Sequence, residues 1–179
     1  MNVVEPIRNK RDIDRMKKAL HGRDQLLFIF GINSALRISD ILALKVGDVR
    51  GKESITLTEK KTGKSKQFRV NKAISQAVKK CVPANAADND YLFPSRKGNG
   101  AISRVQAYRI LNEAAGRAGL TVNIGTHTLR KTMAYHAYQS GVDISLLMNV
   151  LNHSSQRETL RYIGITQDQV NGVFEALNL

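Results

Sequence analysis

His127 and Arg130 lie three residues apart at the start of a predicted helix, so their side chains share one face. A helix N-terminus carrying two such groups is a ready phosphate site, because free backbone N–H groups and the helix dipole both favour an anion. The plain alternative is a capping histidine beside a solvated arginine. Arg37 follows a long apolar segment and needs an anionic partner, since an unpaired charge beside a core is costly. Asp40, one helical turn on, can supply it as a structural ion pair. His153, in Leu151-Asn152-His153-Ser154-Ser155, stands between two predicted helices, where most histidines are structural. Tyr91, Tyr108, Tyr135, Tyr138 and Tyr162 all carry a nucleophilic hydroxyl, and periodicity singles out none of them.

The charge says what these groups face. Lys and Arg number 28 against 15 Asp and Glu, a net +13 with a pI near 10.1. Such an excess favours a polyanionic partner, and nucleic acid is the commonest one. It is also uneven: Lys45 to Lys72 holds nine basic and three acidic residues, +6 of the +13. The 42% hydrophobic and 24% charged content is that of a globular chain. The densest apolar run, Leu26 to Ile32, is too short to span a bilayer. Met1 to Pro6 lacks the regions of a signal peptide. The single cysteine, Cys81, excludes an internal disulfide and reads as a half-buried thiol ending a helix, suited to a reducing compartment. A soluble intracellular protein without membrane contact is expected.

The elements that must position these groups follow from periodicity. Ile13, Met16 and Leu20 mark an amphipathic helix over 10–20. The stretch 23–36, apolar nearly all round, predicts a buried central helix. Ser39 can cap a short helix carrying Ile41, Leu42 and Leu44. The period then switches to two: 54–58 and 66–70 predict a β-hairpin around Lys61-Thr62-Gly63-Lys64. Helices are expected again over 72–81 and from Ser103 to about Gly119, with 83–100 as a loop. Thr126 can cap a helix running through Ser140 with Gly141 as its stop. Two more follow at about 143–151 and 156–162. The fold expected is mainly α with one small antiparallel β-sheet, in one domain over 1–179.

Taken together, Ala35-Leu36-Arg37-Ile38-Ser39-Asp40, a hairpin lysine, His127-Thr128-Leu129-Arg130, Leu151-Asn152-His153-Ser154 and Thr159-Leu160-Arg161-Tyr162 resemble the phage-integrase family of tyrosine recombinases. Order, spacing and neighbouring residues agree from about residue 10 onwards. One departure is Asn152, where the family usually has glycine. A slight shift of the His153 loop is expected from it, leaving the imidazole available.

The resemblance implies site-specific DNA recombination: integration, excision or inversion through a 3′-phosphotyrosyl intermediate. Tyr162 is then the nucleophile, and the covalent link conserves bond energy, so no ATP or other cofactor is needed. Arg37 and Arg130 grip the non-bridging oxygens in forked bonds that lysine could not mimic. His153 donates to the same phosphate, His127 assists proton transfer, and a hairpin lysine protonates the leaving 5′-oxygen. Asp40 orients Arg37 and its neighbours. No Cys/His cluster has metal spacing. Lys61, before the turn glycine, fits the family's lysine best, with Lys60 on the opposite face by strand alternation. Lys60, Lys64 and Lys66 are expected to touch phosphates from the surface.

The helix after Ser103 buries Ala107, Leu111, Ala114 and Ala118, leaving Gln106, Arg109, Glu113 and Arg117 near the other side. In the family this helix approaches the major groove, where Gln and Arg suit base edges. Arg104, Gln106, Arg109 and Arg117 are therefore the candidate DNA contacts, and the partner is double-stranded DNA. Val170, Val173, Phe174 and Leu177 form an apolar stripe at i, i+3, i+4 and i+7. The resemblance implies that it docks into a neighbouring protomer of a synaptic tetramer assembled from free monomers. With only about ten residues before the first helix, the family's N-terminal DNA-clamping domain is expected to be absent. Such an enzyme works in the cytoplasm, on the nucleoid. The alternatives are a non-cleaving DNA-binding regulator with the same fold and a type IB topoisomerase-like activity.

Overall fold

The computed structural model describes residues 4–59, 63 and 65–165. Two helices open the chain, α1 (Lys10–Ala19) and α2 (Gly22–Ser34), followed by two single-turn helices, α3 (Ile38–Ile41) and α4 (Val46–Val49). A hairpin of β1 (Ser54–Thr58) and β2 (Ser65–Arg69) comes next. Then come α5 (Lys72–Cys81), α6 (Arg104–Arg117), α7 (Thr126–Gln139), α8 (Ile144–Leu151) and α9 (Gln156–Ile163). No helix among the described residues is long and apolar enough to cross a membrane.

The buried central helix is α2, and its all-round apolar character has a direct cause. Leu26, Leu27 and Phe30 belong to a core shared with α5 and the hairpin, whereas Phe28 belongs to a second core with α1, α6 and Leu129 of α7. Phe30 anchors the first core through edge-to-face contacts with Phe68 and Phe93, each at 6.2 Å between ring centres. Gly31 lets α7 come close, since a Cβ there would run into the Leu129 side chain. That approach places Arg130 of α7 beside the end of α2.

The hairpin register pairs Ser54 with Arg69 and Thr58 with Ser65. Alternation turns Ile55 and Leu57 of β1, with Phe68 of β2, toward the helices. Continuing that period puts Glu59 and Lys66 on the inner side as well. The Gly63 N–H donates to Glu59 O at 2.9 Å, and Gly63 takes the left-handed conformation with φ 66°.

Three local expectations need correction. Ser39 lies inside α3, and the N-cap position is Arg37. Thr126 is the first residue of α7; the cap is Gly125, whose N–H donates to Thr128 Oγ1 at 3.0 Å. The one-turn α4 was not foreseen, because four residues are too few to display a period. The remaining helices match within a residue or two. Asn9, Asn71, Ser103, Asp143 and Ser155 cap α1, α5, α6, α8 and α9 through side-chain bonds. Cys81 ends α5, half-buried.

Candidate active site

Arg130 is the centre of the site, and the fold holds it by backbone rather than by acids. Its Nη1 donates to Ala35 O at 2.5 Å and its Nη2 to Leu151 O at 2.6 Å. These carbonyls end two different helices, α2 and α8, so one guanidinium ties both to α7. Ala35 itself is left-handed, φ 53°, an uncommon conformation for a residue with a Cβ. It turns the chain out of α2 so that Leu36 enters the core and Arg37 faces the site. Arg130 is 4% exposed, and it has five N–H donors in a planar fork. Two are spent on carbonyls, and the remainder of the fork faces the Tyr162 side, where a coulombic interaction links the two groups.

Arg37 pairs with Glu59, Nη1 to Oε2 at 2.8 Å. Glu59 was not foreseen; the expected partner, Asp40, is buried one turn on and acts electrostatically on both Arg130 and Lys66. Inward alternation along β1 was the available signal for Glu59. Lys66 was expected at the surface, and the structure corrects this. Its Nζ donates to Val150 O at 2.6 Å and stands 4.0 Å from Glu59 Oε1. Burial, with Arg130 and Arg37 alongside, pulls the Lys66 ammonium below its ordinary pKa, against the opposing pull of Glu59 and Asp40.

Asn152 caps α8 with φ 56° and ψ 42°, a left-handed backbone that glycine adopts freely. The His153 N–H donates to Met148 O at 3.0 Å, clamping the turn. The His153 ring is fixed by Nδ1 against Thr159 Oγ1 at 3.0 Å and meets the Tyr162 ring edge-on at 5.0 Å. Burial chiefly, then Arg130 and Arg37, holds His153 below the usual histidine range, against Glu158. His127, exposed in the first turn of α7, is also lowered: by desolvation first, then by Arg130, Lys131, Arg104 and Arg37. Both imidazoles are therefore neutral at pH 7.

Tyr162 stands in α9 with its hydroxyl buried, next to the Arg130 guanidinium but out of line for a good hydrogen bond to it. Desolvation raises its pKa, while Arg130 and Arg37 pull the other way. The hydroxyl is thus protonated at rest, near the two arginines and with the His153 ring against the Tyr162 ring. Lys131, also unforeseen, lies 5.2 Å over the Tyr162 ring, its Nζ bonded to Val4 O at 2.9 Å. Periodicity singled out none of the five tyrosines; the family motif pointed to Tyr162, and the structure sets it beside the two arginines and His153.

Lys60, Lys61 and Lys64 lie outside the described residues. Arg104, Gln106 and Arg109 are exposed on α6, and Arg104 is close enough to His127 to influence it. Arg117 bonds Ala19 O at 3.0 Å, bracing the end of α1. Exposed Val105 and Tyr108 join the polar face of α6. The stripe Val170, Val173, Phe174 and Leu177 falls outside the described residues.

Two arginines, a tyrosine hydroxyl beside them and two histidines of lowered pKa coupled to the same arginines make a group suited to gripping and attacking a phosphate, on a mostly helical scaffold. Residues 8–169 match the Phage integrase family. The chain is 47% identical over 178 residues to a probable integrase/recombinase YoeC of Bacillus subtilis, covering 98% of this chain and 97% of that protein. In fold it is similar to the crystal structure of XerA recombinase, with TM-score 0.78, 20% identity, and coverage of 98% of this chain and 65% of that one. It is also similar to a lambda integrase dimer bound to a COC′ core site, with TM-score 0.70, 16% identity, and coverage of 93% and 62%. The fold is that of tyrosine recombinase catalytic domains. The chain belongs to the phage integrase family.

Proposed function

We propose that this family member is a site-specific DNA recombinase in which Tyr162 attacks a backbone phosphate, forming a 3′-phosphotyrosyl link and releasing a 5′-hydroxyl. The observation that carries this reading is the convergence of Arg37, Arg130 and His153 on the buried Tyr162, with His127 coupled to the same two arginines, from four separate stretches of chain. Negative charge grows on the non-bridging oxygens of the five-coordinate transition state, and forked guanidinium donors set in advance stabilise it. The tyrosine is protonated at rest, so its proton must leave during attack, and neutral His127 is the acceptor. His153, with its ring fixed by Thr159, meets the same phosphate. Lys61 protonates the leaving 5′-oxygen; Asp40 supports the arginines from beneath. Once the 5′-hydroxyl of a partner strand replaces the original, the same steps run backwards.

Duplex DNA is the substrate. The phosphodiester chemistry, the +13 charge and the basic hairpin support it, as does a neighbour in fold that is bound to a core site. Lys60 and Lys64 hold the hairpin against the backbone, and Arg104, Gln106, Arg109 and Arg117 bring α6 to the groove. Four copies assemble on two sites through the stripe at Val170, Val173, Phe174 and Leu177, from monomers working at the nucleoid. A non-cleaving regulator would not need Tyr162 with every basic partner intact. A type IB topoisomerase would relax supercoils as a monomer. The deciding experiment incubates the protein with nicked suicide duplexes tiling the DNA around its gene. A covalent protein–DNA band from wild type and none from Tyr162→Phe is expected; a band from both would move the nucleophile elsewhere.

A further inference from the structure

Asn152 departs from the family's glycine, and the backbone does not explain why. Its left-handed conformation is one that glycine adopts freely and asparagine tolerates. What asparagine adds is the amide. Its Nδ2 donates to Glu59 Oε2 at 3.2 Å, the same oxygen that takes Arg37 Nη1 at 2.8 Å. Glu59 is 1% exposed. On its other side Lys66 faces Oε1 at 4.0 Å and is itself bonded to Val150 O at 2.6 Å, two residues before Asn152. Two bridges therefore cross from the hairpin to the end of α8, and both meet Glu59.

We infer that Asn152, acting through Glu59, is a positioning residue that sets Arg37 and the His153 turn as one unit. The inference rests on the recombinase reading. An arginine side chain loses much rotamer freedom when held, and a carboxylate that could move with it would offer no fixed aim. The Asn152 amide bonds one oxygen of Glu59 and the Lys66 ammonium stands 4.0 Å from the other, which restrains the carboxylate. Arg37 is thus held along one edge, with its remaining donors directed at the phosphate before substrate arrives. Because Asn152 directly precedes His153, any displacement of the turn is transmitted to both groups.

Asn152→Gly is the informative variant, since it keeps the left-handed backbone and removes only the amide. In 15N-arginine-labelled protein without DNA, the Arg37 guanidinium signal, assigned by its loss in Arg37→Lys, should show hindered rotation in wild type and freer rotation in Asn152→Gly. Single-turnover cleavage of a suicide duplex should fall about tenfold, the worth of one hydrogen bond to a charged group, with DNA affinity unchanged. The defect should shrink on a duplex whose scissile phosphate is a neutral methylphosphonate, which makes less demand on Arg37. Glu59→Gln should show the same pattern with a larger fall. Equal restraint of Arg37 in wild type and Asn152→Gly overturns the inference. So does undiminished cleavage, or an equal defect on both substrates. If wild type forms no adduct on any duplex while Asn152→Gly frees Arg37, the recombinase reading fails and the positioning role stands.

Discussion

Replacing Arg130 by lysine keeps a positive charge but removes the fork, and the structure gives this variant two separable consequences. The first is stability. Arg130 donates to Ala35 O at 2.5 Å and Leu151 O at 2.6 Å inside the protein, and these carbonyls close α2 and α8. A lysine ammonium on a single stem can satisfy one of them, leaving the other buried without its charged donor. A hydrogen bond from a charged group contributes about 1.5–3 kcal/mol, so a loss of that order is expected. For a domain of this size each kcal/mol lowers Tm by about 2–4 °C, which gives a fall of roughly 3–12 °C. The second consequence is catalytic: loss of one transition-state donor costs about two orders of magnitude or more in cleavage. Scanning calorimetry and single-turnover cleavage well below the lowered Tm measure the two separately. Arg37→Lys is the control. It can keep an ion pair with Glu59, so it should melt near wild type while losing a comparable factor in cleavage. If Arg130→Lys melts within a degree of wild type, the carbonyl bonds do not hold the site together. Near-normal cleavage would remove Arg130 from the phosphate.

Tyr162→Phe should abolish covalent attachment, leave DNA affinity within a few-fold, and leave Tm unchanged or slightly raised, because the buried hydroxyl makes no well-formed bond; a clear fall in Tm would show a structural role. Lys61→Ala should slow cleavage of ordinary DNA far more than cleavage of a 5′-bridging phosphorothioate, whose thiolate leaves without a proton. Lys66→Ala is the comparison, since Lys66 stands beside both arginines; selective rescue of that variant instead would make Lys66 the acid. His127 and His153 both have folded pKa values below the ordinary 6.5, so in the window below 6.5 the unfolded chain binds more protons and stability rises with pH. Histidine NMR titrations should give midpoints under 6.5 for both, and a midpoint above it would refute the crowding by arginine. Deleting residues 169–179 should leave a folded protein that binds single sites but fails to recombine paired ones; unfolding would make the apolar stripe part of the core.

Much of the scaffold was readable locally. Helix periodicity acts over a few residues, so 72–81 and the helix starting at Ser103 were legible without any knowledge of the rest, and their caps, Asn71 and Ser103, are local too. The hairpin's period of two was equally plain, and it already implied that Glu59 and Lys66 turn inward with Ile55, Leu57 and Phe68. Lys66 was expected at the surface because Lys61 fitted the family's lysine, leaving the other hairpin lysines as phosphate contacts. The order and identity of Arg37, His127, Arg130, His153 and Tyr162 were legible as a set of motifs.

What only the tertiary structure decided is where each charged group is satisfied. Asp40 was the nearest acid in sequence to Arg37, yet the carboxylate bonded to Arg37 is Glu59, brought there by the hairpin folding onto α2. Arg130 reaches carbonyls 95 and 21 residues away, which no local pattern encodes. Tyr162 differs from four other tyrosines through its neighbours, two arginines and the edge of His153, and not through its place in a helix. Propensity and periodicity are short-range and survive in the sequence. The partner of a buried charge is selected by low-dielectric burial across distant segments, and that selection exists only once the chain has closed on itself.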